Sequence, residues 1–443
     1  MKTHLLFSLL ALLIFVGCNS TVDPEPILSS EQPVANTPAI EPTVAPVETA
    51  VLPTATAVSE PPTPTPRTAG TSDNNHDDIP AEPTLSAPPP SRDVEQPPYA
   101  ESECSDKYPC NEDIEAWETR IQVRDGFAVE YVARLDAQPT VLEFGPDGLL
   151  YIATMGGTIY RMEGDNTFTP FFSGLTVPTG MAFQPGIDRL YVSDRAINQS
   201  IDGESRISYI EDGELTTIID GLPCCYTGYH AANGIAFGPD GYGYVGVGSR
   251  ADHGEIIGGP NAGEQDTNLH PYEATILRFS PDGSEVEVYA RGFRNPYSLA
   301  WDADGNLYTA DNSPDYNPPE EFYVVTPGGE HGYPWYDCEV CFSPPPGVEV
   351  IPPNFTYPPN SAPTGVTAYL HDQFPGYYNG VFVVLWSALP WAQRIMWMAP
   401  GGNDGFVFAT GFGLPIDTAV SPAGSLYVTD WATGIIFRIS YTG

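Results

Sequence analysis

From residue 127 onward, the chain alternates short apolar runs with turns rich in glycine, proline and aspartate. Six segments repeat one pattern, in which an almost continuously apolar run is followed by a turn and then by a second run with an aromatic residue near its start. These segments begin at Thr140, Thr179, Asn233, Tyr297, Thr364 and Ile416. Repetition on this scale indicates one supersecondary unit that is used six times.

Each repeat continues into a third apolar run, such as GTIYRM or SRISYIEDG, and most continue into a fourth. Four strands in each of six units predict a six-bladed β-propeller, an all-β fold whose apolar first strands line the axis. The last repeat ends after three strands at Ser440. We therefore predict that residues 127–134 provide the missing outer strand and close the ring, which removes exposed sheet edges. No segment has the periodicity of an amphipathic helix.

The N-terminus carries a targeting signal. Residues 1–18 contain Lys2 and an apolar run that ends at Gly17-Cys18, which predicts the signal peptide of a bacterial lipoprotein with Cys18 as the lipidated residue. Cleavage without lipidation is the alternative. We expect an exported protein at the cell surface or in the periplasm, anchored to the membrane through Cys18.

Between this signal and the repeats, the composition changes twice. Residues 19–103 are rich in Pro, Thr and Glu and hold one aromatic residue, so they cannot bury enough apolar surface to fold, and we expect a disordered tether. Residues 104–126 form a cysteine-containing lead-in to the propeller at 127–443. The net charge is −40 at pH 7, which excludes nucleic acid as a partner and leaves the lipid anchor as the only membrane contact.

The cysteines favour disulfides, because their number after Cys18 is even and the chain is exported. They are Cys104, Cys110, Cys224, Cys225, Cys338 and Cys341. Cys104 with Cys110 is the easiest local pair. Cys224 and Cys225 either bridge each other or pair separately with Cys338 and Cys341.

Four motifs resemble the glucose/sorbosone dehydrogenase family, and its sorbosone branch more than its soluble glucose branch. They are HAANGIAFGPDG from His230, GFRNPYSLAWDADGNLYTADN from Gly292, GGEHGYPW from Gly328 and SAPTGVTAYLHDQFPGYYNGVFV from Ser361. The resemblance implies a six-bladed quinoprotein that uses pyrroloquinoline quinone (PQQ) and calcium. Its substrate is expected to be a small sugar, and its electrons are expected to pass to an external acceptor.

The resemblance implies that His230 is the general base, which removes a hydroxyl proton while hydride leaves the same carbon for the quinone. It also implies that Arg294 and Asn295 bind the cofactor, because a planar guanidinium bridges carboxylate or carbonyl oxygens. Since the propeller contains no lysine, other arginines must help to balance the charge of the three cofactor carboxylates. The candidates are Arg195, Arg250, Arg291 and Arg394.

For calcium, the resemblance implies that Ser313 and Pro314 offer backbone carbonyls, because a hard cation prefers oxygen ligands. Glu321 matches an acidic position linked to a second calcium, or it is an ordinary surface carboxylate.

Two positions depart from the family pattern. Ser249 stands where the soluble glucose branch has an aspartate that supports the histidine, so Asp252 must provide that carboxylate from the loop, or the base is weaker. In the fifth repeat, Ser387-Ala388-Leu389 replaces a Trp-Asn-Arg of the sorbosone branch.

The sequence therefore predicts a surface-anchored PQQ- and calcium-dependent sugar dehydrogenase. The departures favour the alternative, a propeller without catalysis that binds carbohydrate or protein. A calcium-dependent lactonase on a similar ring would need axial acidic ligands, and none stands out in the sequence.

Overall fold

The computed structural model describes residues 104–443 apart from 165, 197–202, 227–228, 317 and 337. The predicted signal peptide, its Cys18 and the predicted tether lie outside the described residues. The described chain forms six antiparallel sheets, and the predicted six-bladed all-β propeller is confirmed. No helix in this described part is long and apolar enough to cross a membrane.

The elements follow one another in blade order. Before the first blade come α1 (Ile114–Arg120), β1 (Gln122–Val123) and β2 (Phe127–Arg134). Blade one contains β3 (Pro139–Phe144), β4 (Leu150–Thr154), β5 (Thr158–Gly164) and β6 (Thr167–Ser173). Blade two contains β7 (Gly180–Phe183), β8 (Leu190–Arg195), β9 (Gly203–Glu211) and β10 (Glu214–Cys224). Blade three contains β11 (Ala232–Phe237), β12 (Gly243–Val247), β13 (Thr275–Phe279) and β14 (Val286–Arg291).

The second half of the ring repeats this order. Blade four contains β15 (Pro296–Trp301), β16 (Leu307–Asp311), β17 (Glu320–Val324) and β18 (Phe355–Tyr357). Blade five contains β19 (Pro363–Ala368), β20 (Val381–Leu385), β21 (Arg394–Met398) and β22 (Gly405–Thr410). Blade six contains β23 (Pro415–Val420), β24 (Leu426–Asp430) and β25 (Ile435–Tyr441).

The first strands of the blades surround the axis, and each contacts the first strand of the next blade. Their last residues all line one axial cavity of about 350 Å³. Because these strands end at the same face, they also begin at the same face. We call the face where they begin the site face.

The ring closes as the sequence predicts. Strand β2 pairs antiparallel with β25 in blade six, from Phe127 opposite Tyr441 to Arg134 opposite Ile435. The N-terminal part of the propeller thus provides the outer strand that the last repeat lacks. Strand β25 is thus paired on both sides, and β2 is the outermost strand of blade six.

The lead-in holds the one α-helix of the described residues, which the sequence did not predict. Helix α1 has seven residues, too few to show a helical period. The Asp113 side chain caps it by accepting the N–H of Ala116, and Trp117 is buried against blades five and six. Strand β1 then adds to the edge of blade five, where Gln122 lies opposite Thr410.

Two long segments lie inside blades three and four. The first segment, 248–274, joins β12 to β13. The second segment, 325–354, joins β17 to β18. Tyr333 and Tyr336, from the second segment, are buried together. The second segment also carries the disulfide between Cys338 and Cys341, whereas Cys104 bonds Cys110 and Cys224 bonds Cys225.

Candidate functional site

The residues with predicted roles come together at the site face. His230 lies two residues before β11, and Arg294 and Asn295 lie directly before β15. Because β11 and β15 are neighbouring inner strands, the three residues lie close together at the site face. The backbone N–H of Ser249 donates to the carbonyl of Arg294 at 2.7 Å. This bond ties the loop after β12 to the start of the next blade.

His230 is buried and held by the loop that follows β12. Its Nδ1 lies 3.0 Å from the backbone carbonyl oxygen of Ser249 and 3.3 Å from the Ser249 hydroxyl. A carbonyl oxygen only accepts, so Nδ1 carries the proton and Nε2 has the lone pair of the neutral imidazole. The Ser249 hydroxyl donates its own proton to the Ala251 carbonyl at 2.6 Å. The backbone of Ser249 therefore does the orienting that a carboxylate does in other sites.

The surroundings of His230 favour the neutral ring. Burial, and then the positive charges of Arg294 and Arg195, lower the pKa of His230 well below its usual range, against the hydrogen bond to Ser249 that raises it. The Tyr226 ring meets the imidazole edge to face at 5.2 Å, and its centroid lies 5.9 Å from the Arg294 guanidinium. Tyr226 thus bridges the two residues with predicted roles.

Close packing brings His230 and Asn295 together. A Cβ at Gly248 would lie 2.6 Å from the Asn295 side-chain oxygen and 2.9 Å from the His230 Cβ, so glycine is required there. The Asn233 amide donates to the Asn295 side-chain oxygen at 2.8 Å. The oxygen of Asn233 is buried without a partner among the described residues.

Arg294 is buried in a network of oxygen acceptors. Its Nη2 donates to the Asp252 carboxylate at 2.6 Å and its Nε to the Asp252 carbonyl at 2.8 Å. Nη1 donates to the Asn312 carbonyl at 3.2 Å. Burial acts to lower the pKa of Arg294, but the carboxylates of Asp252 and Asp315 outweigh it and raise that pKa.

The structure therefore gives Asp252 a different partner from the expected one. Its carboxylate binds Arg294 and the backbone N–H of Asp315, and no hydrogen bond joins it to His230 among the described residues. The support expected from Asp252 comes instead from the Ser249 carbonyl.

Beneath Arg294 and Asn295 lies the buried carboxylate of Asp311. It accepts the backbone N–H groups of both residues, at 2.8 and 2.7 Å, and the hydroxyl of Tyr336 at 3.2 Å. Burial raises the pKa of Asp311 to about 7. This carboxyl group fixes the backbone from which the two predicted cofactor-binding residues project.

The residues predicted to bind calcium, Ser313 and Pro314, lie two and three positions after Asp311 in the chain. The backbone N–H of Ser313 donates to Glu320 at 2.7 Å and its hydroxyl to the Pro319 carbonyl at 2.7 Å, which fixes the turn at Ser313 and Pro314. Glu321 lies opposite Asp311 and accepts the Tyr323 hydroxyl at 2.8 Å. Burial raises the pKa of Glu321 well above its usual range.

No group of three or more His, Cys, Asp or Glu side chains in the described chain is arranged to hold a metal. A calcium ion at Ser313 and Pro314 would therefore depend on backbone oxygens, the donors that the sequence predicts.

The four further arginines have different surroundings. Arg250 pairs with Glu273 at 2.9 Å, Arg291 donates to the Pro271 carbonyl, and Arg394 donates to the carbonyls of Pro390 and Ala392 in its own loop. Arg195 is fully buried, and its Nε and Nη2 have no hydrogen-bond partner among the described residues.

Two acidic residues face the axis, although none stood out in the sequence. Glu143 of β3 and Asp417 of β23 line the axial cavity. Burial, and secondarily the neighbouring Asp417, raises the pKa of Glu143 to about 8, and burial raises that of Asp417 to about 7. Two carboxyl groups are fewer oxygen ligands than calcium takes, so they do not by themselves favour the lactonase alternative.

Tyr226, Asn233 and the Ser249 carbonyl are not among the site groups predicted from the sequence. Tyr226 and Asn233 lie within four residues of His230 in the segment CCYTGYHAAN, so their closeness to His230 could have been predicted from the sequence. A backbone carbonyl leaves no signal in residue identity.

Solved structures share this fold. An oxidoreductase described as a glucose dehydrogenase from Thermus thermophilus is 21% identical with a TM-score of 0.55, over 71% of this chain and 99% of its own. The PQQ-bound form of an aldose sugar dehydrogenase from Streptomyces coelicolor is 20% identical with a TM-score of 0.55, over 72% and 99%. The apo form of the soluble aldose sugar dehydrogenase from Escherichia coli is 17% identical with a TM-score of 0.57, over 71% and 99%.

At these identities the likeness establishes the propeller fold. No curated protein sequence matches the chain. Residues 206–390 match the model of the family described as Glucose / Sorbosone dehydrogenase. This range contains His230, Arg294 and Ser313, which carry the predicted chemistry. This match confirms, over residues 206–390, the resemblance seen in the motifs.

Proposed function

We propose that the protein is a PQQ-dependent sugar dehydrogenase in which His230 is the general base. The observation that carries this proposal is the state of His230. Its Nδ1 is bound to the Ser249 carbonyl, so Nε2 is the proton acceptor, and two guanidinium groups lie nearby. The family match and the description of the Streptomyces coelicolor structure as PQQ-bound support the choice of cofactor.

The polar groups at the site face fit such a cofactor. PQQ carries three carboxylates and an ortho-quinone, which need fixed hydrogen-bond donors. Arg294 and Asn295 are held in place by Asp311, and Arg195 has buried N–H groups without partners among the described residues. Arg250 and Arg394, which the sequence also suggested, are engaged by Glu273 and by backbone carbonyls, so we assign them no direct role.

Calcium would be held next to these donors. The carbonyls of Ser313 and Pro314 would face the ion, and the bond from the Ser313 N–H to the buried Glu320 carboxylate fixes the turn. Glu321, which lies opposite Asp311 on the neighbouring strand, would stabilise the same region.

In the reaction, His230 Nε2 takes the proton from the sugar hydroxyl. When bound, PQQ supplies the two-electron acceptor to which the hydride of the same carbon moves. Because the Ser249 carbonyl fixes the ring, Nε2 keeps one direction throughout the step. The imidazolium that forms has no carboxylate hydrogen-bonded to Nδ1, so His230 is a weaker base than one paired with aspartate. Release of its proton is correspondingly easier.

We further propose that the protein is exported and anchored through a lipid on Cys18, with residues 19–103 linking the anchor to the propeller. The support is the composition of these segments. Electrons would pass from the reduced site to an external acceptor, and the substrate would be a small sugar.

The test is reconstitution. The purified full-length chain is incubated with PQQ and Ca²⁺, and reduction of an artificial dye is measured with a panel of aldoses. The expected result is a bound-quinone absorption spectrum and sugar-dependent dye reduction. A folded protein that gives neither would reject the proposal and favour a propeller that binds carbohydrate or protein without catalysis.

A further inference from the structure

Arg195 is the last residue of β8 and is fully buried at the site face. Its Nη1 donates to the Val177 carbonyl at 2.5 Å, whereas Nε and Nη2 have no partner among the described residues. A buried guanidinium with two unpaired donors is costly, because water no longer solvates its charge. Because the unpaired donors destabilise the fold, their presence calls for a functional explanation.

The neighbouring carboxylate does not provide one. Asp194 precedes Arg195 in β8, but it accepts two bonds from the Arg206 guanidinium and a third from the backbone N–H of Thr176. The acid nearest in sequence is therefore already neutralised by another arginine.

The residue that accepts the Arg195 hydrogen bond has a strained backbone conformation. Val177, which accepts Nη1, has a φ of 46°, in the left-handed region that β-branched residues rarely adopt. Strain of this kind is found mainly where a fold fixes a functional group. Here the backbone conformation of Val177 directs its carbonyl at Nη1. The other edge of the guanidinium, formed by Nε and Nη2, has no partner among the described residues.

Arg195 lies close to His230. Its guanidinium carbon lies 5.8 Å from the centroid of Tyr229, the residue before His230. Its charge acts on His230 and on the buried Tyr297, two residues after Asn295. Of the two buried arginines that act on His230, Arg294 is paired with a carboxylate and Arg195 is not.

We propose that Arg195 is the anion anchor of the site, and that its Nε and Nη2 bind one carboxylate group of the ligand in a bidentate fork. Nε and Nη2 lie on one edge of the guanidinium and match the two oxygens of a carboxylate. Blade two would then supply the positive charge that blade five lacks at Ser387-Ala388-Leu389. This inference rests on the proposed function, because PQQ is the carboxylate-bearing ligand.

The experiment compares Arg195→Met, Arg195→Lys and a control in the full-length chain. Arg189→Gln is the matched control, since Arg189 directly precedes β8 and its guanidinium is bound by both carboxylate oxygens of Glu211. PQQ affinity is measured by isothermal titration calorimetry, and the melting temperature is measured without ligand. We expect Arg195→Met to weaken PQQ binding about 30-fold or more, the value of a lost charge-assisted pair, and Arg195→Lys to weaken it less.

The ligand-free melting temperature separates anchoring from a structural role. Loss of an unpaired buried charge should leave it unchanged or raise it, whereas removal of a structural arginine should lower it. PQQ affinity equal to that of Arg189→Gln would overturn the inference. If Arg195→Met fails to fold, the PQQ affinity of Arg195→Lys is compared with that of Arg189→Gln instead, and equal affinities would overturn the inference.

A second probe keeps this test independent of the cofactor. If the unmodified chain does not bind PQQ, the proposed function fails, and citrate is titrated instead. Tighter citrate binding by the unmodified chain than by Arg195→Met would still support the anchor, and equal binding would reject it.

Discussion

The Nδ1 atom of His230 lies 3.0 Å from the backbone carbonyl oxygen of Ser249. This contact fixes both the tautomer and the direction of the imidazole without using the Ser249 side chain as the main partner. We therefore expect Ser249→Ala to keep kcat within about tenfold of the unmodified protein, because the carbonyl remains. Steady-state dye reduction checks this. A thousandfold loss would show that the hydroxyl, and not the carbonyl, orients the ring.

Replacement of His230 itself should abolish turnover selectively. We expect His230→Ala to lower kcat by about 10²- to 10⁴-fold, the usual contribution of a positioned general base, while PQQ binding measured by calorimetry is retained. His371→Ala is the control, because His371 lies on the loop after β19, beyond the opposite end of an inner strand. Unchanged turnover in His230→Ala would remove the general-base assignment.

The pair of Asp252 and Arg294 makes a separate prediction about stability. Both side chains are buried and 2.6 Å apart, so Asp252→Ala leaves an unpaired charge and should destabilise the fold by about 3 kcal/mol in chemical denaturation. Asp315→Ala is the matched control, because Asp315 is mostly exposed and 3.7 Å from the same nitrogen, and it should cost less than about 1 kcal/mol.

The Asp252 variants also test which group supports the base. Since His230 bonds to Ser249, we expect Asp252→Asn to leave the acidic limb of the kcat/KM pH profile in place. A shift of that limb toward lower pH would mean that the Asp252 charge acts on His230, directly or through Arg294, because loss of that negative charge would lower the pKa of the imidazole.

Stability should fall as the pH rises. Glu143 and Asp417 have folded-state pKa values of about 8 and about 7, above their usual 4.5 and 3.8. The folded state therefore holds protons that the unfolded state has lost, so their contribution is complete below pH about 4 and disappears by pH about 8. We expect a lower melting temperature at pH 8 than at pH 5 without ligand, and a smaller difference in Glu143→Gln/Asp417→Asn. An equal difference in the double variant would contradict this origin.

Calcium removal should weaken cofactor binding. If the Ser313 and Pro314 carbonyls hold the ion, EGTA should eliminate most dye reduction and lower PQQ affinity, and Ca²⁺ should restore both better than Mg²⁺, which demands a stricter geometry. Ser313→Ala should respond to EGTA and Ca²⁺ in the same way, because the ligand is the backbone oxygen. Full activity in EGTA would argue against a calcium site.

The ring could be predicted from sequence because each blade repeats the same apolar run, turn and aromatic strand. The missing strand of the sixth repeat and the isolated run at 127–134 likewise defined the closure. Helix α1 could not be predicted, because seven residues show no period and its stability comes from burying Trp117 against distant blades.

The site was predictable to the extent that strand ends determine position. His230 and Arg294 precede inner strands of adjacent blades, so their proximity follows from the repeat. The partners of the arginines do not, because Glu273 lies 23 residues from Arg250. Nothing local shows that Nε and Nη2 of the buried Arg195 lack a partner among the described residues.

The sixth sheet combines residues 127–134 with residues 415–441. Its strands come from the two extremes of the propeller sequence, so the circle cannot be completed until the last segment has been synthesised. An early stop anywhere before β25 would leave the first strand of the propeller without its partner. Such a product would be an open arc with bare edges, ready to aggregate or be degraded.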